Sequence, residues 1–351
     1  MKEQPCAPII IPTLNRYEHF RNCVESLQKN RYAEYTDIYI SVDYPPSVEY
    51  NEGYQKICYY LNHEFKSNFK KTYIFYQTKN LGPELNTSFL VDKSRDSSNE
   101  YFIFTEDDNI FSPIFLEYIN TCLRVYQYNP QIMAIGGYCD PLNWRATNGL
   151  FILDETIAWG TAFYRSRLDS CINWINYNNL IGILKNSQKC KELFNYNYKK
   201  YWILVEACIS DLDDKKNVFV RKEEKDIRAI DYTEGLYMTF NKCYAVYPST
   251  TLVHNNGYDG SGVNCPKINE TSNQSKLITW NDFDYIATPN LNILPANQQV
   301  NNNHIDCKRA KRARVLRLVF LFFGKTAAQK CKKITDYFEY KLFLIKNHFH
   351  K

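Results

Sequence analysis

The sequence predicts an open α/β fold in which a mostly parallel sheet is covered by helices, and three observations predict it. The first 140 residues alternate short apolar runs with longer helix-like stretches, the pattern of strands joined by crossover helices. The composition, 44% hydrophobic and 23% charged over 351 residues, is that of a globular chain long enough for one catalytic unit and an appendage. Several apolar runs end abruptly in polar or acidic residues, which places those residues along the one edge where open α/β sheets hold ligands.

In chain order, the strands fall at Ala7–Ile11, Asp37–Val42, Thr72–Tyr76, Tyr101–Thr105 and Ile132–Gly136. Helices are expected near Glu18–Lys29, Tyr50–Phe65, Pro83–Lys93 and Pro113–Tyr128, with Pro113 in a first-turn position after Ser112. Beyond Cys139 the pattern is less regular, with a helix over Tyr232–Phe240 and a strand over Tyr244–Tyr247. The organisation read from this is a ligand-binding half at 1–140, a second half at 141–265, an Asn-, Thr-, Ser- and Gln-rich connector at 266–307 and a basic tail at 308–351.

The tail holds 13 Lys and Arg against 2 acids, which leaves 30 basic and 36 acidic residues in the rest of the chain. The net charge of +5 therefore belongs to the tail, and a nucleic-acid-binding core is not expected. Within the tail, Val315–Phe323 reads VLRLVFLFF, too short to cross a bilayer, which needs roughly 20 apolar residues. Flanked by Lys and Arg, it suits an amphipathic helix lying on an anionic membrane surface; the alternative is a helix packed on the rest of the protein. The 12 Cys show no spacing suited to a zinc site, so reduced thiols and a cytosolic setting are expected, and Met1 leads into the first strand without the pattern of a signal peptide.

The strongest chemical signal is Phe102-Ile103-Phe104-Thr105-Glu106-Asp107-Asp108, an apolar strand running into three acids. Neighbouring carboxylates repel, so a divalent cation or hydroxyl donors are natural partners, with Asp108 the candidate metal ligand. The competing reading is that Asp107, Asp108 or Asn109 caps a following helix. The first strand ends in a Pro12-Thr13 turn, and Arg16 at the next helix's start can face a phosphate or a base. Asp43 closes the second strand, where a carboxylate can accept from a uracil ring nitrogen or a ribose hydroxyl, or simply shape a turn. Neither a glycine-rich dinucleotide fingerprint nor a Walker loop follows the first strand. His254, in a polar run before Asn255, Asn256 and Gly257, is a candidate ligand for a metal or a diphosphate. The acids Asp211, Asp213 and Asp214 follow no apolar strand and read as a solvated loop.

In this order the motifs resemble the GT-A-fold glycosyltransferases, family 2 and the N-acetylglucosaminyltransferase I group in particular. The residues that carry the resemblance are PTLNR at Pro12–Arg16, SVD at Ser41–Asp43, NLGPELN at Asn80–Asn86, TEDD at Thr105–Asp108, AWGTAFYRSR at Ala158–Arg167, DYTEG at Asp231–Gly235 and the run from Tyr247 to Cys265. The resemblance implies a Rossmann-related mixed sheet and an inverting sugar transfer. The donor would be a nucleotide diphosphate sugar, a UDP sugar by preference, and the acceptor a hydroxyl on a glycan or lipid-linked molecule, with Mn2+ or Mg2+ as cofactor. It further implies a nucleotide pocket that includes Asn80 and Gly82, with Asp43 on the base, Glu106 and Asp107 on the donor sugar and ribose, Asp108 on the metal, and Trp159 and Gly160 on the acceptor side. The matching place for the base that deprotonates the acceptor is Asp231, although Ile230 stands before it where the family often has Trp. Glu234, three residues on and on the same helical face, is the reserve candidate. The setting implied is the cytosolic face of a membrane. The rival readings are a sugar-phosphate nucleotidyltransferase, which should show a glycine-rich basic loop after its first strand, and a non-catalytic membrane-associated scaffold.

Overall fold

A computed structural model of the chain describes residues 6–98, 100–139, 149–209, 230–260 and 304–348. These residues form two compact units, one drawn from Met1–Asp169 and Lys242–Leu294, the other from Ser170–Asn241 and Pro295–Lys351. The acids at 211–214 and most of the connector at 266–307 lie outside the described residues, while 304–307 open the last helix.

The first unit is built on one mixed sheet. Its chain order is β1 (Ile9–Thr13), α1 (Tyr17–Gln28), β2 (Asp37–Val42), α2 (Asn51–Tyr59), β3 (Lys71–Tyr76), α3 (Gly82–Lys93), β4 (Tyr101–Phe104), β5 (Asn109–Phe111), α4 (Phe115–Tyr126), β6 (Ile132–Gly136), β7 (Leu150–Leu153) and β8 (Thr161–Tyr164), then α5 (Arg165–Trp174), within which the chain passes into the second unit. It returns as β9 (Tyr244–Pro248) and β10 (Val253–Asn255). The sheet order is β3-β2-β1-β4-β8-β6-β9-β7, with β5 and β10 paired separately.

Strands β3, β2, β1 and β4 are parallel, whereas β8 runs antiparallel to both β4 and β6. The expected α/β fold, a mixed sheet flanked by helices, is therefore present. Burial explains the strand sequences: Ile9, Ile10 and Ile11 of β1 are wholly buried and every residue of β2 is buried, as parallel strands covered on both faces require. Phe20, Cys23, Val24 and Leu27 of α1, at i, i+3, i+4 and i+7, face that core.

The strands expected at Asp37–Val42 and Ile132–Gly136 have those bounds, but β1 lies further along than Ala7–Ile11 because its ladder to β2 runs from Ile9 to Thr13. Pro12 comes after the last β1 residue paired with β4, so its missing N–H leaves no gap on that side. The helix expected from Pro113 begins at Phe115, and Pro113 stays outside it because Ser112 is still hydrogen-bonded to Leu252 (2.9 Å) in the strand-like path from β5. Strands β7, β8 and β9, which follow the segment 1–140, join the same sheet as β1–β4.

The second unit is helical: α6 (Tyr177–Lys185), α7 (Ser187–Tyr196), α8 (Tyr198–Ile209), α9 (Ile230–Asn241) and α10 (His304–His348). Asn176 and Asn186 cap α6 and α7, each side chain accepting from the backbone N–H three residues on. No helix among the described residues is long and apolar enough to cross a membrane.

Candidate active site

The parallel strands β1, β2 and β4 deliver Thr13, Asp43 and the segment Thr105–Asp108 to the carboxyl-terminal edge of the sheet. Asp107 and Asp108 form a turn between β4 and β5, so the alternative that one of them caps a helix does not hold; the next element is a strand. Both carboxylates are buried, with side-chain exposures of 7% and 4%.

They are held by a closed set of donors. Thr13 Oγ1 donates to Asp107 Oδ2 (2.7 Å), Arg16 Nη1 donates to Asp108 Oδ2 (2.7 Å), and Arg16 Nη2 is ion-paired with Asp107 Oδ1. Asn255 Nδ2 donates to Asp108 Oδ1 (3.0 Å) and also reaches Asn109 Oδ1 (3.2 Å). Asn109 in turn donates to Thr105 Oγ1 (2.9 Å), and the N–H of Asn256 meets the Asp108 carbonyl (2.8 Å).

Burial raises the Asp107 carboxyl above its ordinary range, against the pull of Arg16 and Thr13. For Arg16, burial disfavours the charge, but the combined attraction of Asp107 and Asp108 outweighs it and lifts the guanidinium above its usual value. Three charges are thus locked together at the sheet edge, with Arg16, 23% exposed, as the member that reaches solvent.

Two backbone features make this packing possible. A Cβ at Gly257 would lie 2.2 Å from Asp108 Oδ2, so only glycine lets the chain after β10 pass so close to the carboxylate. The Gly257 N–H also donates to Asn255 Oδ1 (2.8 Å), which orients that amide toward Asp108. Asn255 and Gly257 are therefore working parts of the site, whereas in the sequence they stand out only as members of a polar run. The signal was the Asn-Asn-Gly after an apolar strand, but its target is set by the pairing of β10 with β5, which puts Asn255 opposite Asn109.

The same pairing sets the direction of His254. It sits opposite Ile110, and strand alternation aims it to the face opposite Asn255, away from the acid pair. It is half-buried, and burial lowers its pKa.

Asp43, expected either to meet a base or ribose or to shape a turn, holds a turn. Its Oδ1 accepts from the N–H groups of Tyr44 and Leu81 (both 2.8 Å), and its Oδ2 accepts from Gly82 N–H (2.9 Å) and Asn80 Nδ2 (3.3 Å). An ionised carboxylate has about four acceptor positions, and the chain's own donors occupy them. Asp43 clamps the Asn80–Gly82 turn at the start of α3, where Gly82 has φ +76°, and Asn80 completes the clamp through Tyr44 O (2.6 Å). A direct contact to a base would require one of these donors to be displaced.

Glu106 is half-buried, and Trp159 Nε1 donates to its Oε2 (3.0 Å). The indole stands edge-on to Tyr138 (4.7 Å between ring centres) and to Tyr258 (6.1 Å), an aromatic corner beside the acids. Gly160 serves the packing beneath this corner, since at φ +64° its Cβ would press on Phe111 and Val253 at 2.9 Å. Asp231 and Glu234 lie on α9 of the second unit, Asp231 in its first turn and Glu234 wholly buried.

A divalent ion asks for hard oxygen ligands, and Asp107 and Asp108 already converge on one cation, the Arg16 guanidinium. The acid pair therefore fits a metal in kind, on condition that Arg16 gives up its contact with Asp108. Among the described residues no group of three His, Cys, Asp or Glu converges, so the acid pair would be the part of a coordination shell that these residues supply.

No family model matches the sequence, and no curated protein matches it. Among solved structures, the chain is similar to the mannosyltransferase PcManGT from Pyrobaculum calidifontis in complex with GDP-Man and Mn2+, at 11% identity over 48% of this chain and 47% of that one, with a TM-score of 0.34. It is also similar to S. aureus TarS, at 12% identity over 47% of this chain and 29% of that one, TM-score 0.34. The TarS 1–349 fragment in complex with UDP-GlcNAc matches at 14% identity over 49% and 48%, TM-score 0.33. The chain thus spans about half of the mannosyltransferase and under a third of the first TarS structure.

Proposed function

We propose that this chain is a glycosyltransferase that moves a sugar from a nucleotide diphosphate donor, a UDP sugar by preference, to a hydroxyl of a glycan or lipid-linked acceptor with inversion. The observation that carries the reading is the buried Asp107–Asp108 pair, bridged by Arg16 and seated at the carboxyl ends of parallel strands. A nucleotide diphosphate brings negative charge to this edge, and Arg16 is the residue able to turn from the carboxylates to meet it. Asp108, with Asp107 beside it, would hold a manganese or magnesium ion, which when bound supplies the positive charge that a departing diphosphate needs.

The other residues divide the remaining work. Glu106, fixed by Trp159, orients hydroxyls of the donor sugar, and the aromatic corner of Trp159, Tyr138 and Tyr258 offers flat faces to a sugar ring. Asp43 acts as a positioning residue that shapes the Asn80–Gly82 turn. On α9, Asp231 takes the proton from the attacking acceptor hydroxyl, with Glu234 as the reserve base. The tail at 308–351 places the enzyme on the inner face of a membrane, where a lipid-linked acceptor would be met.

The test is UDP release from a panel of UDP sugars with Mn2+, for the wild type and for Asp108→Asn, Asp231→Asn and Glu234→Gln. Loss of a charge-stabilising group costs on the order of 10²-fold or more in turnover, which is the effect expected for Asp108→Asn. The same order of loss in Asp231→Asn, with Glu234→Gln active, assigns the base. Equal release by wild type and Asp108→Asn would discredit the assignment of the acid pair.

A further inference from the structure

The basic tail is not one long helix. Within α10, Gly324 has φ +80° and ψ 178°, far outside helical values. Arg312 and Asp336 are ion-paired at 2.8 Å, whereas in a straight helix 24 residues would separate them by about 36 Å. Glu206 of α8 receives Arg312 (3.3 Å) from one side of Gly324 and Lys332 from the other. The helix therefore doubles back at Gly324 into an antiparallel hairpin lying on α8. Ala310, Ala313 and Leu316 of the first arm and Ala328 of the second are buried, and Gln329 Nε2 meets the Ile209 carbonyl at the end of α8 (2.9 Å).

What remains uncovered is the tip and the outer stripe that leads to it. Phe322 and Phe323, the last residues before the turn, are 77% and 75% exposed, and Val315, Leu318 and Leu321 continue the apolar surface along the first arm. Residues 308–335 contain ten Lys and Arg and no acid, so the tip stands in a strongly positive setting. Arg314, stacked over Phe194, and Arg317, bonded to the Leu184 carbonyl (2.7 Å), fix part of that charge beside the apolar stripe.

We infer that the hairpin is a membrane wedge: the Phe322-Phe323 tip enters the interfacial layer of an anionic bilayer while exposed lysines such as Lys330 and Lys333 contact lipid headgroups. An apolar tip set in an acid-free basic stretch is complementary to an anionic lipid surface, which offers negative headgroups above an apolar layer. The proposal deepens the membrane assignment of the tail, and it replaces a helix lying flat in the surface with a turn that points into it. It does not depend on the donor site.

The test is co-sedimentation of the full-length chain with vesicles of phosphatidylcholine alone or mixed with phosphatidylglycerol. Wild type is expected to bind the mixed vesicles and not the neutral ones. Phe322→Ser with Phe323→Ser should weaken that binding by about tenfold or more, because two rings no longer leave water, with thermal melting unchanged since both side chains are exposed. Lys330→Glu with Lys333→Glu should weaken the preference for phosphatidylglycerol, and Asp108→Asn should bind vesicles like wild type, which keeps this result separate from the donor-site reading. The proposal is overturned if the double Ser variant sediments as wild type does, if wild type ignores mixed vesicles, or if wild type ignores vesicles but self-associates in solution and the Ser variant does not, which would make the tip a contact between copies.

Discussion

Replacing Arg16 by Met removes the one positive charge that Asp107 and Asp108 share while keeping most of the side chain's bulk. Two ion-paired hydrogen bonds are lost, and two carboxylates with exposures of 7% and 4% face each other without a cation. Breaking a buried pair by deleting one partner typically costs about 3–5 kcal/mol. Arg16 is partly exposed, and Thr13 and Asn255 still donate to the carboxylates, so the low end, about 3 kcal/mol, is the expected loss. In a cooperative unit of roughly 150–250 residues that corresponds to a fall in melting temperature of about 6–12 °C. The assay is calorimetry in metal-free buffer and again with Mn2+. Because Arg16→Met leaves the acid pair open, Mn2+ should raise its melting temperature more than that of the wild type, in which Arg16 competes for Asp108. A metal-free melting temperature within about 2 °C of wild type would refute the ion-pair lock, and equal Mn2+ shifts in both proteins would refute the competition.

Gly257→Ala should be destabilising by about 1–3 kcal/mol, since its methyl group would lie 2.2 Å from Asp108 Oδ2; unchanged melting together with full UDP release would remove Gly257 from the site. Asp43→Ala strips the acceptor from three backbone N–H groups and the Asn80 amide, so a loss of about 3 kcal/mol is expected alongside weaker nucleotide binding. If nucleotide binding weakens while the melting temperature holds, Asp43 contacts the ligand directly and the clamp reading fails.

The sequence alone determined the parallel half of the sheet, because buried strands such as IIIPT and DIYISV read as apolar runs whatever surrounds them. It also singled out Thr13, Arg16 and the Glu106–Asp108 acids, of which the structure brings Thr13, Arg16, Asp107 and Asp108 into contact, since abrupt polarity after an apolar strand is a local signal. It missed β7 and β8, whose four-residue runs LFIL and TAFY are too short to be distinguished from buried helix by periodicity. Only the tertiary structure decided which acids share a cation, that Asn255 and Gly257 reach across from 147 and 149 residues downstream to grip Asp108, and that Asp43 is occupied by its own turn. Those outcomes depend on strand register and on backbone passing within contact distance, and neither leaves a trace in local composition. The tail follows the same division: its charge and its apolar stripe are written in the residues, but its fold-back at Gly324 brings both arms to Glu206, a partner more than a hundred residues away.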